Sequence, residues 1–257
     1  MTGQLALEGQ VVVVTGAGSG LGRAVALHLA ELGAEVVALS LVGSELEDLG
    51  KEAGASGHPL TTRQVDVGDA DQVHREATEI LDRLGRVDVL INNAGVIVLK
   101  PVEEMSIAEW DRVISTNLRS VFLLAHELVP AMKERAQGLI VNVSSQSGIR
   151  GFIGESGYCP SKHGVEGLTK TLALELAPFG IAVISVTPGA YMRTAMSLIT
   201  LGPEEQAHWH EPAELAPAFA VLAAQVDRIQ SGRRYDIWRL ATSGSVADGL
   251  AKPLDES

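Results

Sequence analysis

The chain has 257 residues, 46% hydrophobic and 20% charged, which suffices for one large α/β domain with its own core and excludes a disordered chain. A net charge of −12 disfavours nucleic acid and anionic membranes as partners. The single cysteine, Cys159, rules out an intramolecular disulfide, and with no basic leader and no membrane-length apolar segment a soluble, cytoplasmic protein is expected.

Strand-like and helix-like pieces alternate with few long gaps, which predicts a parallel sheet covered by helices on both faces. Residues 10–15 form the first buried strand and run into Thr15-Gly-Ala-Gly-Ser-Gly-Leu-Gly22, then a helix over 23–31. Gly16, Gly20 and Gly22 suit a tight strand-to-helix turn, either one that admits a pyrophosphate at the helix N-terminus or a plain turn without a ligand. A second strand spans 34–40 and a helix 44–53. The third strand, 61–67, ends in Asp66-Val67; as a residue type Asp66 serves almost equally well as a cap for the helix over 71–84. The fourth, 87–91, leads into Asn92-Asn93-Ala94-Gly95, where a turn would also use Asn and Gly. A long helical region, 106–134, contains Asn117, whose amide must be satisfied if it is buried.

The run 138–143 is a fifth strand, and Ser145 stands at its end. Val165, Leu168, Leu172 and Leu176 then recur at helical spacing, so Tyr158 and Lys162 lie four apart on one helix face. That spacing carries chemistry. A free phenol has a pKa of about 10, and an ammonium one turn away favours the phenolate, bringing it toward the range useful for proton transfer at a carbonyl or alcohol oxygen. On its own a Tyr-x-x-x-Lys pair is more often part of a solvated face. A sixth strand covers 181–186 and leads into Thr187-Pro188-Gly189, a helix follows over 212–224, and a last strand over 232–238. Residues 239–257 show no periodicity and are expected to form a partly ordered tail, which leaves one catalytic domain over 1–238.

Taken together, Ser145, Tyr158-x-x-x-Lys162, the Thr15-Gly-x-x-x-Gly-x-Gly22 turn and Asn92-Asn93-Ala94-Gly95 resemble the classical short-chain dehydrogenase/reductase family over residues 7–232. The resemblance implies a single-domain Rossmann-type, doubly wound parallel sheet. It also implies an NAD(P)-dependent oxidoreductase that interconverts a ketone and a secondary alcohol by hydride transfer. Tyr158 would be the general acid/base, with Ser145 bonding the reacting oxygen. Lys162 would tune Tyr158 and hold the nicotinamide ribose, and Asn117 would hold a water that connects Lys162 to solvent. Cofactor contacts would come from Gly16, Ser19, Gly20, Leu21 and Gly22 in the turn, Ser40 at the ribose, Asp66 and Val67 beside adenine, and Asn93, Ala94 and Gly95, with Tyr158 and Lys162. Pro188 and Gly189 would close over the nicotinamide, and Thr194 would meet its carboxamide. No metal is expected; His208 and His210 read as surface residues that flank Trp209 at the hinge of a lid over 195–210.

The chain departs from the family pattern in two places. One extra residue stands between Gly189 and Thr194, and the usual terminal Asp-Gly-Gly is replaced by Tyr235-Asp236-Ile237-Trp238-Arg239. Cofactor choice turns on the end of the second strand, where an acidic residue selects NAD and an arginine NADP. Those places hold Ser40 and Leu41, and Ser19 occupies the other basic position, so either NADP or NAD is expected, with a slight lean to NADP. Val96, Ile97, Ile149, Phe152, Ile153, Tyr191, Met192 and Leu198 should line a mostly apolar substrate pocket, with Arg150, Glu155 and Arg193 as polar anchors. The resemblance also implies a homo-oligomer, a dimer or a tetramer. Two other readings are a dinucleotide-binding regulator or structural subunit without catalysis, and a sugar-nucleotide epimerase or dehydratase. The intact Ser145, Tyr158 and Lys162 oppose the first, and the glycine spacing and short C-terminal part oppose the second.

Overall fold

The computed structural model describes residues 6–200 and 202–251. Its strands are β1 (Val11–Thr15), β2 (Glu35–Ser40), β3 (Thr61–Gln64), β4 (Val89–Asn92), β5 (Gly138–Val143), β6 (Ile181–Thr187) and β7 (Arg234–Asp236). They pair in parallel throughout, in the order β3-β2-β1-β4-β5-β6-β7. This is the doubly wound Rossmann-type sheet. Its order reverses between β1 and β4, which opens a crevice at the carboxyl ends of those strands.

Strand β1 shows why helices must cover both faces. All of Val11–Thr15 is buried, and successive side chains of a strand point to opposite sides. Val12 and Val14 pack with Val25 and Leu29 of α1 (Gly20–Glu31) and with Phe219 and Leu222 of α10 (Pro217–Ala224). Val11 and Val13 belong to the opposite core, with Val73, Ala77 and Ile80 of α3 (Ala70–Leu84) and Leu124, Leu128 and Met132 of α5 (Ser120–Glu134). Helix α2 (Gly43–Ala55) joins the first layer through Leu46 and Leu49, and α6 (Tyr158–Leu176) joins the second through Ala173 and Leu176. Local signals set the helix ends. Asp69 caps α3 by accepting from the Asp71 and Gln72 backbones, and Gly85 closes it at φ 68°. A Ser106–Glu109 capping box opens α4 (Ile107–Ile114). Among the described residues no helix is long and apolar enough to cross a membrane.

Three features differ from the sequence expectation. The helical region 106–134 is not uniform: a π-helical turn, Ser115–Arg119, separates α4 from α5 and turns Asn117 inward, where it is buried. A widened turn of this kind leaves no mark in apolar periodicity. The helix expected over 212–224 is two, α9 (Pro212–Leu215) and α10, and it is not the last. The third difference concerns the tail: β7 stops at Asp236, and the next residues form α11 (Ile237–Ser243). Asp236 caps α11 by accepting from the Arg239 backbone at 3.0 Å, while Ile237, Leu240 and Val246 are buried against α10 and its neighbours. Leu250 bridges to Tyr235 and covers the free edge of β7. Two turns of helix were too short to register as periodic, yet they complete one side of the core.

A chain ending at Asp236 should therefore lose about 5 kcal/mol or more of stability, from three buried aliphatic side chains at ~1.5–3 kcal/mol each. Urea unfolding of the truncated and full-length proteins measures this, and equal midpoints would mean that residues 237–251 are a mere tail.

Candidate active site

The sequence-predicted residues lie along the carboxyl ends of the strands, the catalytic candidates beyond β4 and β5 and the cofactor candidates from β3 across to β6. Thr15 ties the first two together: its Oγ1 accepts the backbone N–H groups of Asn93 and Ala94, both at 2.9 Å. Asn93 Nδ2 donates in return to the Thr15 carbonyl at 2.9 Å. The glycine turn is packed against this clamp. Gly16 has φ 62°, and a methyl group there would lie 2.8 Å from Ala94 Cα; on Gly22 it would overlap the Gly16 carbonyl. Two of the glycines are thus required by the protein's own packing. The turn also suits an anion, because α1 starts at Gly20 with no side-chain cap from Ser19, which leaves its first N–H groups facing the crevice mouth. Leu21 is buried beneath the turn. This cradle fits a dinucleotide pyrophosphate.

Ser40 is nearly buried at the end of β2, while Leu41 is exposed. Sequence reasoning missed their neighbour. A methyl group on Gly18 would lie 2.7 Å from Ser40 Oγ and overlap the carboxylate of Glu45, so Glu45 reaches back from the first turn of α2 to the place where an acidic strand end would lie. Asp66 is half-buried and accepts the Gly68 N–H at 2.9 Å; the cap of α3 is Asp69, not Asp66, and Val67 is buried. Thr194 Oγ1 accepts from the Ser197 backbone at 3.1 Å at the start of α7 (Ala195–Thr200), and its methyl faces Gly20. Gly189 (φ 69°) leaves no room for a side chain against Asp236, and Trp238 N donates to the Pro188 carbonyl at 3.2 Å, so the C-terminal segment fixes the Pro188-Gly189 turn. His210 N donates to the Tyr191 carbonyl at 2.7 Å and its ring lies 3.9 Å from that of Trp238, which ties residues 191 and 210 to the C-terminal segment.

Tyr158 and Lys162 open α6, and Ser145 precedes a short turn, Gln146–Gly148, that packs on that helix. Ser145 lies near enough to the Tyr158 phenol to oppose its upward shift, and its Oγ accepts the Ser147 N–H at 3.2 Å, while the phenol itself donates to Met196 Sδ at 3.9 Å. Lys162 Nζ donates to the Val143 carbonyl at 2.9 Å and stands 5.6 Å from the Tyr158 ring centre. Asn117 is bonded to Val96 through its Oδ1 (from the backbone N–H, 2.8 Å) and its Nδ2 (to the carbonyl, 2.9 Å), and Nδ2 donates to Ser161 Oγ at 3.0 Å. A methyl on Gly95 would sit 3.5 Å from Asn117 Oδ1 and 3.7 Å from Lys162 Nζ, so the two side chains flank that glycine. Cys159 turns away from this group, its Sγ 3.1 Å from Glu155 Oε2.

The electrostatics correct one expectation. Lys162 does not bring Tyr158 toward neutrality; burial pushes the phenol up to about 12, against the opposing effect of Ser145 and with the Glu155 charge adding to the rise. Burial likewise pushes Lys162 down to about 8, with the Glu166 carboxylate opposing. Desolvation is the largest cause of both shifts, and the ammonium is directed at the Val143 carbonyl. The phenol is therefore protonated at neutral pH.

The family model for short chain dehydrogenases matches residues 10–200. The chain belongs to this family. Among curated relatives, the enzyme is 37% identical over 239 residues to the 3-oxoacyl-acyl-carrier-protein reductase FabG of Thermotoga maritima, covering 88% of this chain and 95% of that one. It is 42% identical over 185 residues to levodione reductase of Leifsonia aquatica, covering 70% and 69%. A metagenomic short-chain oxidoreductase solved in complex with NADP superposes with a TM-score of 0.76 at 35% identity, covering 87% of this chain and 94% of that one. A candidate NAD(P)-dependent gluconate 5-dehydrogenase from Beutenbergia cavernae, with bound NADP at low occupancy, superposes at 0.84 with 31% identity, covering 92% and 99%. The protein is an oxidoreductase of this family.

The Lys162 shift has a thermodynamic consequence. Its ordinary value is 10.5 and its folded value about 8. Between those limits the unfolded chain binds a proton that the folded chain lacks, so this residue makes stability rise with pH, by on the order of 3 kcal/mol across the window. Lys162→Met should abolish that rise. The wild-type-minus-variant difference in unfolding free energy, measured at pH 7 and pH 10.5, should grow toward wild type; a constant difference would contradict the burial of a charged amine.

Proposed function

We propose that this enzyme interconverts a ketone and a secondary alcohol, with Tyr158 giving and taking the proton at the reacting oxygen. The observation that carries the reading is the convergence of a buried phenol, the neighbouring Ser145 hydroxyl and the Lys162 amine behind it, all beside a glycine turn that suits an anion. The cofactor is NADP or NAD, and when bound it supplies hydride chemistry. In reduction, Tyr158 donates its proton to the carbonyl oxygen while Ser145 stabilises the charge that develops there. The phenolate left behind forms next to the Lys162 ammonium, which is still mostly protonated below pH 8. Pro188, Gly189 and Thr194 bound the cofactor side, and Asn117 and Gly95 fix the space behind Lys162. Relatives named as reductases of levodione and of a 3-oxoacyl thioester support carbonyl reduction. The exposed apolar side chains Phe152, Ile153, Tyr191 and Leu198 support a largely apolar, medium-sized substrate.

Tyr158→Phe should retain under about a tenth of wild-type kcat, a loss of more than roughly 1.4 kcal/mol in barrier terms, with cofactor binding little changed. The assay is a panel of apolar ketones, steroids and polyols; polyols belong there because a D-threitol dehydrogenase from Mycolicibacterium smegmatis is 33% identical over 234 residues. A clear preference for polyols would overturn the substrate class. Higher residual activity in Tyr158→Phe would overturn the proton donor.

For the cofactor, NADP-bound neighbours support a slight lean to NADP, and Ser40 can bond either a ribose hydroxyl or a phosphate. Glu45 limits that lean by placing a carboxylate beside Ser40 with no arginine to offset it. An absent charged hydrogen bond is worth roughly 1.5–3 kcal/mol, so discrimination should stay below about a hundredfold. Fluorescence titration with NADPH and NADH should show Ser40→Asp shifting preference to NADH and Glu45→Gln shifting it to NADPH. Strong wild-type discrimination would mean that some other residue reads the ribose.

A further inference from the structure

Behind the proposed catalytic residues lies a buried charged pair that the reaction does not itself use. Arg234 opens β7, and its Nη2 donates to the backbone carbonyl of Ser145 at 3.0 Å. Its Nε lies 3.6 Å from Oε1 of Glu166, which stands one turn beyond Lys162 on α6. The other Glu166 oxygen accepts Ser185 Oγ at 2.7 Å, and Ser185 is the β6 residue paired in register with Arg234. Both side chains are nearly inaccessible, at 14% and 9% exposure. The turn after Ser145 packs on the stem of the same side chain: a methyl on Gly148 would lie 3.1 Å from Glu166 Cγ and 3.1 Å from the Lys162 carbonyl.

A buried ion pair is weak evidence of stabilisation, because well-packed apolar residues of similar volume often do as well or better. What an apolar pair cannot do is hold a carbonyl and bias a neighbouring charge. We propose that Arg234 and Glu166 are positioning residues for this site: Arg234 fixes the backbone from which Ser145 projects, and the pair together sets the electrostatic surroundings of Lys162. The inference rests on the roles proposed above for Ser145, Tyr158 and Lys162. Ser145 has extended backbone geometry (φ −158°, ψ 169°), so a held carbonyl fixes the direction of its Cα–Cβ bond toward Tyr158. Lys162 faces Tyr158 and Glu166 on its own helix, the Val143 carbonyl of β5, and the neutral Asn117 amide across Gly95; Arg234 reaches it from β7 only through Glu166. Glu155 acts on Tyr158 and Asp236 on Arg234.

The two residues should act on Lys162 with opposite sign. Glu166 raises its pKa against burial, so Glu166→Gln should move the alkaline limb of kcat to lower pH. Arg234 offsets Glu166, so Arg234→Met should move that limb to higher pH. It should also lower kcat about tenfold or more, with the KM for cofactor little changed, because Ser145 loses its anchor. Arg234→Lys should restore the limb and only part of kcat, since one ammonium cannot bridge a carbonyl and a carboxylate as a guanidinium does. The assay is reduction of ethyl acetoacetate followed by NADPH absorbance, with urea unfolding from pH 7 to 10.5 as the second readout. There the pH at which stability starts to rise should shift in the same directions.

A purely structural pair would leave both the limb and the onset where they are, or move them the same way in both variants, and either result overturns the proposal. So would an Arg234→Met protein within about twofold of wild-type kcat. If Arg234→Met does not fold, Glu166→Gln and Arg234→Lys decide the question: an unmoved limb in Glu166→Gln overturns it, and a lowered one supports it. Tyr158→Phe keeps the two levels apart. An active Tyr158→Phe protein removes the underlying mechanism, whereas an inactive one beside an unaltered Arg234→Met removes only this inference.

Discussion

The hydroxyl of Thr15 accepts the N–H groups of Asn93 and Ala94, and Asn93 returns its amide to the Thr15 and Gly16 carbonyls. These bonds join β1 to β4 at the point where strand order reverses, where no ladder continues and the two chain ends would otherwise diverge. Their tightness explains the glycines at 16 and 22, which have backbone rather than ligand against them. A second polar chain extends the clamp. Asn92 donates to Asn142 at 2.9 Å, and Asn142 donates to Thr169 at 2.9 Å, tying β4, β5 and α6 through buried side chains. Such groups are costly when unpaired, so their pairing fixes one register for the elements that carry the site.

Within that frame, desolvation governs the chemistry. Tyr158 and Lys162 are both buried, and burial pushes each toward its neutral form, the phenol upward and the amine downward. The charges left in the same interior, Glu166 and Arg234, face each other at 3.6 Å, longer than a hydrogen bond, and are held by Ser185 and the Ser145 carbonyl through their other polar atoms. One face of α6 thus holds a phenol, an amine and a carboxylate at successive turns.

The C-terminal segment sets the other wall. Asp236 occupies the space beside Gly189, Trp238 holds the Pro188 carbonyl and supports the His210 ring, and Leu240 and Val246 anchor the segment in the core. This chain lacks the Asp-Gly-Gly ending that its resemblance to the family leads one to expect. A short capped helix stands there instead. It couples the turn over the crevice to the last strand through side-chain packing.

The seven-strand alternation, the turn after β1 and the helix face that carries Tyr158 and Lys162 are legible in the chain's own pattern. All of these are local: apolar runs of strand length, glycines at fixed spacing, and residues four apart on one helix. The coarse family followed from the same motifs, and the comparisons established it. Only the tertiary structure decided what depends on residues distant in the chain. Arg234 meets Glu166 and Ser145 across a strand pairing, Glu45 turns back onto Gly18 and Ser40, and Ile237 and Leu240 gain their meaning from α10. The π-helical turn at Asn117 was hidden because one added residue in a helix leaves composition unchanged. The Tyr158 shift ran opposite to the sequence expectation for a related reason. Spacing shows which charge is near, whereas only packing shows how much water has been removed, and here desolvation is the larger effect.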